Sequence, residues 1–250
     1  MELGGYDTRI YLPDDYNPRK KYPVVVSLPG WVVSHDKQAR VFPVQSHVTR
    51  LGFILVVPQS GSSFSTGWNL NQPTRGFNRV MAGLDEKRSN DSCPDRSLNA
   101  SSMDLSRLIV GGHSAGARAA YMIAAEKPDP RPAGLLIYGG DGSGADLTGI
   151  TSRYDRASAP TFLVHIHGDR DGLVGYQGGK KVWESYRSRV NGCSGQDESD
   201  PTRQYKIFEG TGCRQGTSFF SINGGGHEAD LVRNGVLAAA LDRLLEHAGN

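Results

Sequence analysis

Five short apolar runs rich in β-branched residues punctuate the chain, at residues 24–28, 53–57, 108–110, 135–138 and 162–166, each bounded by Gly, Pro or polar turn residues. Between and after them lie segments with helical spacing of apolar positions, roughly 44–51, 77–87, 115–126, 180–190 and 229–247. Continuous apolar strands that alternate with helices predict a mostly parallel sheet covered on both faces and wound through right-handed crossovers, an α/β architecture. Residues 6–12 read as an antiparallel edge strand, and 204–208 with 218–222 return the chain to the sheet before the last helix. The segment 88–102, dominated by Ser, Asn, Asp and Pro, is predicted to be a surface excursion rather than a boundary between domains.

A chain of 250 residues with 37% hydrophobic residues can bury one substantial core, so residues 1–250 are expected to form one domain. A net charge of +2, with basic residues scattered along the chain, argues against nucleic acid or an anionic membrane surface and leaves a neutral small-molecule or polymeric substrate as the expected partner. No apolar run approaches the roughly 18 residues needed to span a bilayer. The first residues, Met1-Glu2-Leu3-Gly4-Gly5, lack the basic and apolar character of a secretory leader, so any leader lies outside this sequence. Spacing leaves two readings of the cysteines: a Cys193–Cys213 disulfide with Cys93 alone, or three free thiols. Two Asn-x-Ser/Thr sequons, at Asn90 and Asn99, fall in the 88–102 segment.

The strongest chemical signal is Gly112-His113-Ser114-Ala115-Gly116, which follows the run at 108–110 and opens the helix beginning at 115. A serine on so sharp a strand-to-helix turn needs small neighbours, supplied by Gly112 and Gly116, and its hydroxyl then projects above the sheet with the helix N-terminus behind it. Ser114 is therefore the expected nucleophile. A serine hydroxyl needs a base oriented by a third group. Of seven histidines, His227 in Gly224-Gly225-Gly226-His227 is best placed, on a flexible loop between a strand and the last helix. Three carboxylates could orient it: Asp169 and Asp171 after the 162–166 strand, and Asp141 after the preceding one. An oxyanion hole is expected from the backbone N–H of Ala115 and of Trp31, the latter in Leu28-Pro29-Gly30-Trp31. His165 and His167 alternate along a buried strand, but no ligand cluster completes a metal site around them, and nothing in the sequence calls for a cofactor. Trp31, Phe64 and Trp68 adjoin loops that border the expected site, where they either grip substrate or pack the core.

Taken together, Leu28-Pro29-Gly30, Pro58-Gln59-Ser60 with Gly67-Trp68-Asn69, Gly112 to Gly116, His167-Gly168-x-x-Asp171 with Val174, Asn191-Gly192-Cys193 and Gly224 to His227 resemble polyhydroxybutyrate depolymerase and feruloyl esterase-type hydrolases, the group around carbohydrate esterase family 1. The resemblance covers nearly the whole chain. It implies an α/β-hydrolase fold and a serine carboxylic-ester hydrolase acting on aromatic esters or polyesters, with a serine peptidase or acyltransferase as the alternative on the same fold. Carried over by position, it implies Ser114 as nucleophile, Asp171 as acid, His227 as base, an oxyanion hole at Trp31 and Ala115, a Cys193–Cys213 disulfide, and a secreted or periplasmic setting. The chain departs from the group at Pro29 (usually His), Trp31 (often Cys) and Gly67 (often Cys), changes that bear on the pocket floor rather than on the backbone donors.

Overall fold

The structure, a computed structural model, describes residues 1–31, 33–59, 68, 70, 72–89, 98–126, 128–141, 161–233 and 235–248. Phe64, Asn90 and Cys93 lie outside the described residues. All ten described strands join one sheet in the order β1-β2-β4-β3-β5-β6-β7-β10-β9-β8. In chain order they are β1 (Glu2–Leu3), β2 (Tyr6–Tyr11), β3 (Tyr22–Leu28), β4 (Ile54–Gln59), β5 (Met103–His113), β6 (Gly134–Tyr138), β7 (Phe162–Gly168), β8 (Gly195–Ser199), β9 (Tyr205–Thr211) and β10 (Thr217–Ile222). The six strands from β4 to β10 run parallel, while β1 and β2 at one edge and β9 and β8 at the other pair antiparallel. All five runs picked out by hydrophobicity fall in central parallel strands, save Phe53, which stands one residue before β4. Each is buried on both faces, which is why it reads as a continuous rather than an alternating apolar stretch.

Alternation sorts the side chains into two cores. Val24, Val26, Leu108, Val110, Leu135 and Ile137 point to one face, and Val25, Ile109, Leu136 and Tyr138 to the other. The first face is covered by helices α3 (Pro73–Ser89), α4 (Ala115–Ala125) and α5 (Tyr176–Ser185). The second is covered by α1 (His35–Val41), the short α2 (Val48–Leu51) and α6 (Val236–Ala248). Helix α3 seats Phe77, Val80, Met81 and Leu84, spaced to fall on one stripe. Helix α6 seats Val236, Leu237, Ala240, Leu241 and Leu244 in the same manner, and each fully buried leucine is worth about 2 kcal/mol. Helix α4 buries alanines at 117, 119, 120 and 124, whose small side chains let it lie close against the sheet beneath it.

Three elements differ from the periodicity reading. The helix expected over 229–247 starts only at Val236, because the preceding residues form turns in which Asp230 Oδ1 accepts from the amides of Val232 and Arg233. The helix expected over 180–190 starts earlier, at Tyr176, and closes in a wider π-type turn over Tyr186–Val190. Helix α1 has seven residues, too few for periodicity to register, and is started by the Ser34 hydroxyl accepting from the Lys37 amide. Cys193 and Cys213 are joined by a disulfide that ties the end of this π-type turn to the β9–β10 connection.

The registers Leu28↔Gly112, His113↔Tyr138, Tyr138↔Ile166 and Ile222↔Gly168 bring the carboxyl ends of β3, β5, β6, β7 and β10 to one edge of the sheet. The loops that follow these strands carry Trp31, Ser114, Asp171 and His227. In open α/β sheets this edge is where ligands bind.

Candidate active site

Strand β5 ends at His113 and α4 begins at Ala115, leaving Ser114 alone at the corner. It is the one non-glycine residue with positive φ among the described residues (φ 56°, ψ −117°), a conformation that costs about 1–3 kcal/mol and persists only where the surroundings enforce it. Its amide donates to the Tyr138 carbonyl at 2.9 Å, and its carbonyl accepts from Arg118 at 3.1 Å in the first turn of α4. The corner also needs its two glycines. A Cβ on Gly112 would stand 2.5 Å from the Leu28 carbonyl oxygen, and one on Gly116 would fall closer still to the same oxygen. The peptide N–H of Ala115 belongs to the first turn of α4, where unpaired amides and the helix dipole favour negative charge.

The second and third groups meet at the same edge. His227 Nδ1 lies 2.8 Å from Asp171 Oδ2, and Asp171 Oδ1 accepts from the amides of Leu173 and Val174 at 2.9 and 2.8 Å. Burial would raise the Asp171 carboxyl, but the Val174 amide, the hydrogen bond and charge of His227 and the Leu173 amide together hold it below the ordinary carboxylate range. Nδ1 therefore carries the hydrogen of His227, and Nε2 is the nitrogen left with a lone pair in the neutral ring. The His227 ring packs at 4.7 Å, centroid to centroid, against His113, the chain neighbour of Ser114.

The loop bearing His227 is fastened at several points. His113 Nε2 donates to the His227 carbonyl at 3.2 Å, and the Tyr138 hydroxyl donates to the Ala229 carbonyl at 3.2 Å. Asp169 Oδ1 accepts from the Gly224 amide at 2.7 Å, so this second carboxylate caps the loop and leaves His227 to Asp171. Lys37 and Glu228 form a half-exposed ion pair at 3.0 Å. The third carboxylate, Asp141, is buried against Gly178 of α5. His113 is itself deeply buried, and burial first, then the His227 charge, pushes its pKa down to about 4, so it stays neutral near neutral pH.

The aromatic residues separate. Trp31 is 76% exposed in the turn after β3. Trp68, expected to border the site, is 4% exposed; it stacks on Tyr6 at 5.2 Å between ring centroids and packs in the core beside α3. A lone Trp beside a Gly cannot report from sequence whether its ring turns inward. Sequence reasoning also passed over Leu173, 76% exposed and two residues beyond Asp171, and the contact of His167 with Asp171; the i, i+4 spacing of that pair across a strand end was the available signal. Among the described residues no group of three or more His, Cys, Asp or Glu is arranged to hold a metal, and no helix is long and apolar enough to cross a membrane.

No protein-family model matches the chain. Over 248 residues it is 24% identical to a probable feruloyl esterase C of Aspergillus niger, a match spanning 95% of this chain and 82% of the relative. Among solved structures, an acetyl xylan esterase from Aspergillus awamori superposes with a TM-score of 0.65 at 16% identity, covering 98% of this chain and 94% of that one. Est1E from Butyrivibrio proteoclasticus with bound ferulic acid superposes with a TM-score of 0.62 at 14% identity, covering 100% and 98%. The chain has the α/β-hydrolase fold, and its sequence is similar to that of an esterase.

Proposed function

We propose that this chain, a carboxylic ester hydrolase, cleaves its substrate through an acyl-enzyme formed on Ser114, with His227 as general base and Asp171 as the orienting acid. The observation that carries the reading is the 2.8 Å bond between His227 Nδ1 and Asp171 Oδ2 at the sheet edge where the strained Ser114 corner stands. His227 Nε2 takes the hydroxyl proton as Ser114 Oγ attacks the ester carbonyl. The oxyanion is met by the N–H groups of Ala115 and Trp31, each such donor being worth about 3 kcal/mol at the transition state. Collapse of the intermediate expels the alcohol, which leaves with the proton held on His227. Water, deprotonated by the same imidazole, then attacks the acyl carbonyl and releases the acid and free Ser114. Asp171 keeps the imidazole in its Nδ1–H tautomer and stabilises the imidazolium while remaining ionised.

Aromatic esters of the feruloyl type or polyesters are the proposed substrates. This is supported by the exposed indole of Trp31 beside the oxyanion loop and by the similarity to a feruloyl esterase. The Cys193–Cys213 disulfide supports an oxidising compartment, secreted or periplasmic. The test is Ser114→Ala, with the fold checked by circular dichroism. Ester turnover should fall at least about a thousandfold and labelling by a fluorophosphonate probe should cease, since the nucleophile is lost. A folded Ser114→Ala protein hydrolysing esters near the parental rate would overturn the reading. In a panel of phenolic methyl esters, short nitrophenyl esters, polymer films, peptides and thioesters, faster turnover of a peptide or thioester would replace it with the peptidase or acyltransferase alternative.

A further inference from the structure

Behind Asp171 runs a line of buried polar groups that the proposed reaction leaves unused. The Tyr121 hydroxyl lies 2.9 Å from His165 Nδ1, and His165 Nε2 lies 3.2 Å from His167 Nδ1. His167 Nε2 lies 2.9 Å from the Val174 carbonyl oxygen and 3.3 Å from Asp171 Oδ2. His165 and His167 alternate on β7, so both rings enter the same core, among Tyr121, Tyr176 and Phe219, with no exposure to solvent. Two imidazoles buried in series are costly unless every ring nitrogen is matched to a partner of the right kind.

The far end of the line settles where the hydrogens sit. A backbone carbonyl only accepts, so His167 Nε2 carries the hydrogen, and the Nδ1 of its neutral ring is bare. A bare nitrogen accepts, so His165 Nε2 donates to it. His165 Nδ1 is then the acceptor for the Tyr121 hydroxyl. One assignment satisfies all four ring nitrogens, with both rings neutral. Burial pushes both rings below the ordinary histidine range; for His167 the Val174 carbonyl and the Asp171 charge oppose that push without cancelling it. The backbone of α5 closes the ring from its other side, since a Cβ on Gly179 would collide with His167 Nδ1.

We propose that His167, locked as its Nε2–H tautomer in line with His165 and Tyr121, is a positioning residue that fixes the acid loop through the Val174 carbonyl and so holds Asp171 where it orients His227. The inference rests on the reading of Asp171 as the acid. It describes the surroundings of that carboxylate: one oxygen takes the amides of Leu173 and Val174, and the other is bonded to His227 with His167 Nε2 3.3 Å away. Removal of His167 leaves Asp171 ionised but unties the Val174 carbonyl and loosens the loop that carries the carboxylate, so the step that needs an oriented imidazole slows while substrate binding does not.

The experiment joins a spectrum to a mutant cycle in the full chain. Proton–nitrogen correlation spectra of the histidine rings at pH 7 should show His165 and His167 both neutral with hydrogen on Nε2. With a short nitrophenyl ester, folded His167→Phe should lose about 10- to 100-fold in kcat at a KM within about twofold. His167→Gln, whose amide N–H can reach the Val174 carbonyl, should recover most of that loss. In an Asp171→Asn background the further effect of His167→Phe should shrink to less than about threefold, because both substitutions act through one carboxylate. A His167 ring that is charged or carries its hydrogen on Nδ1 overturns the inference, as does a folded His167→Phe with parental kcat while Asp171→Asn is inactive. Should His167→Phe not fold, the ring spectrum decides in the same two directions, and a folded but inactive His167→Gln also overturns the inference. An Asp171→Asn protein at the parental rate overturns the acid assignment itself, and this inference with it.

Discussion

His227 and Asp171 stand 56 residues apart in the chain, yet the imidazole Nδ1 and a carboxylate oxygen meet at 2.8 Å. Parallel pairing of β7 with β10 makes the meeting possible, because Ile222 aligns with Gly168 and the two loops leave the sheet side by side. The Asp169 carboxylate then draws the Gly224 amide in at 2.7 Å, which shortens the free reach of the His227 loop.

The Ser114 corner predicts sensitivity at Gly116. A methyl group there would be driven into the Leu28 carbonyl oxygen, a backbone atom that cannot move without disturbing β3. Gly116→Ala should therefore cost about 3 kcal/mol or more and reduce ester turnover with it. Urea unfolding against the parent, followed by activity on a short nitrophenyl ester, checks both. A variant of parental stability would show that the corner relaxes.

Stability should fall as the solution is acidified, in a defined window. His113 titrates near 4 when folded and near 6.5 when unfolded, so above pH 6.5 it is neutral in both states and contributes no pH dependence. As pH falls from 6.5 to about 4 the unfolded chain takes up a proton that the folded chain refuses, which removes about 3 kcal/mol of stability. His35, His47, His165 and His167 are also depressed by burial and act in the same direction. Unfolding free energies at pH 7 and pH 4.5 should show a smaller drop for His113→Phe than for the parent, by about one proton in slope.

The disulfide should stabilise without serving the reaction. Cys193 and Cys213 close a loop of sequence separation 20 at the side of the sheet where β9 and β10 meet. Replacing both by Ser should cost about 3 kcal/mol through the freer unfolded chain. Thermal unfolding would fall by roughly 6–12 °C for a chain of this length. The kcat at 25 °C should remain within about twofold of the parent; a larger loss would show that the link also shapes the site.

The two tryptophans should fail in opposite ways. Trp68 packs in the core on Tyr6, so Trp68→Ala should destabilise by about 3–5 kcal/mol whatever the substrate. Trp31 is exposed, so Trp31→Ala should change stability by less than about 0.5 kcal/mol. It should instead raise KM for phenolic esters or slow the erosion of polymer films, with short aliphatic esters little affected. Equal effects of Trp31→Ala on all esters would remove the indole from substrate recognition.

The parallel sheet was legible in the sequence because strands buried on both faces are apolar at nearly every position, as 135–138 are throughout and 24–28 are but for Ser27, and local composition alone reports this. The corner at Ser114 was legible for the same kind of reason: small residues at 112 and 116 are a demand of the local backbone. Helix α1 and strands β1 and β8 were not, being too short or too polar for a periodic signal. What local sequence could not decide was everything that depends on strand order. Which of Asp141, Asp169 and Asp171 faces His227 left three readings open until the resemblance favoured one, and β7 beside β10 pairs it with Asp171 while turning Asp169 into a loop cap. Whether Trp31 and Trp68 face solvent or core, and whether His165 and His167 stand idle or in line behind a carboxylate, followed likewise from tertiary packing. Burial and hydrogen-bond partnership are properties of neighbours brought together by the fold, and one-dimensional spacing carries them only when those neighbours are also close along the chain.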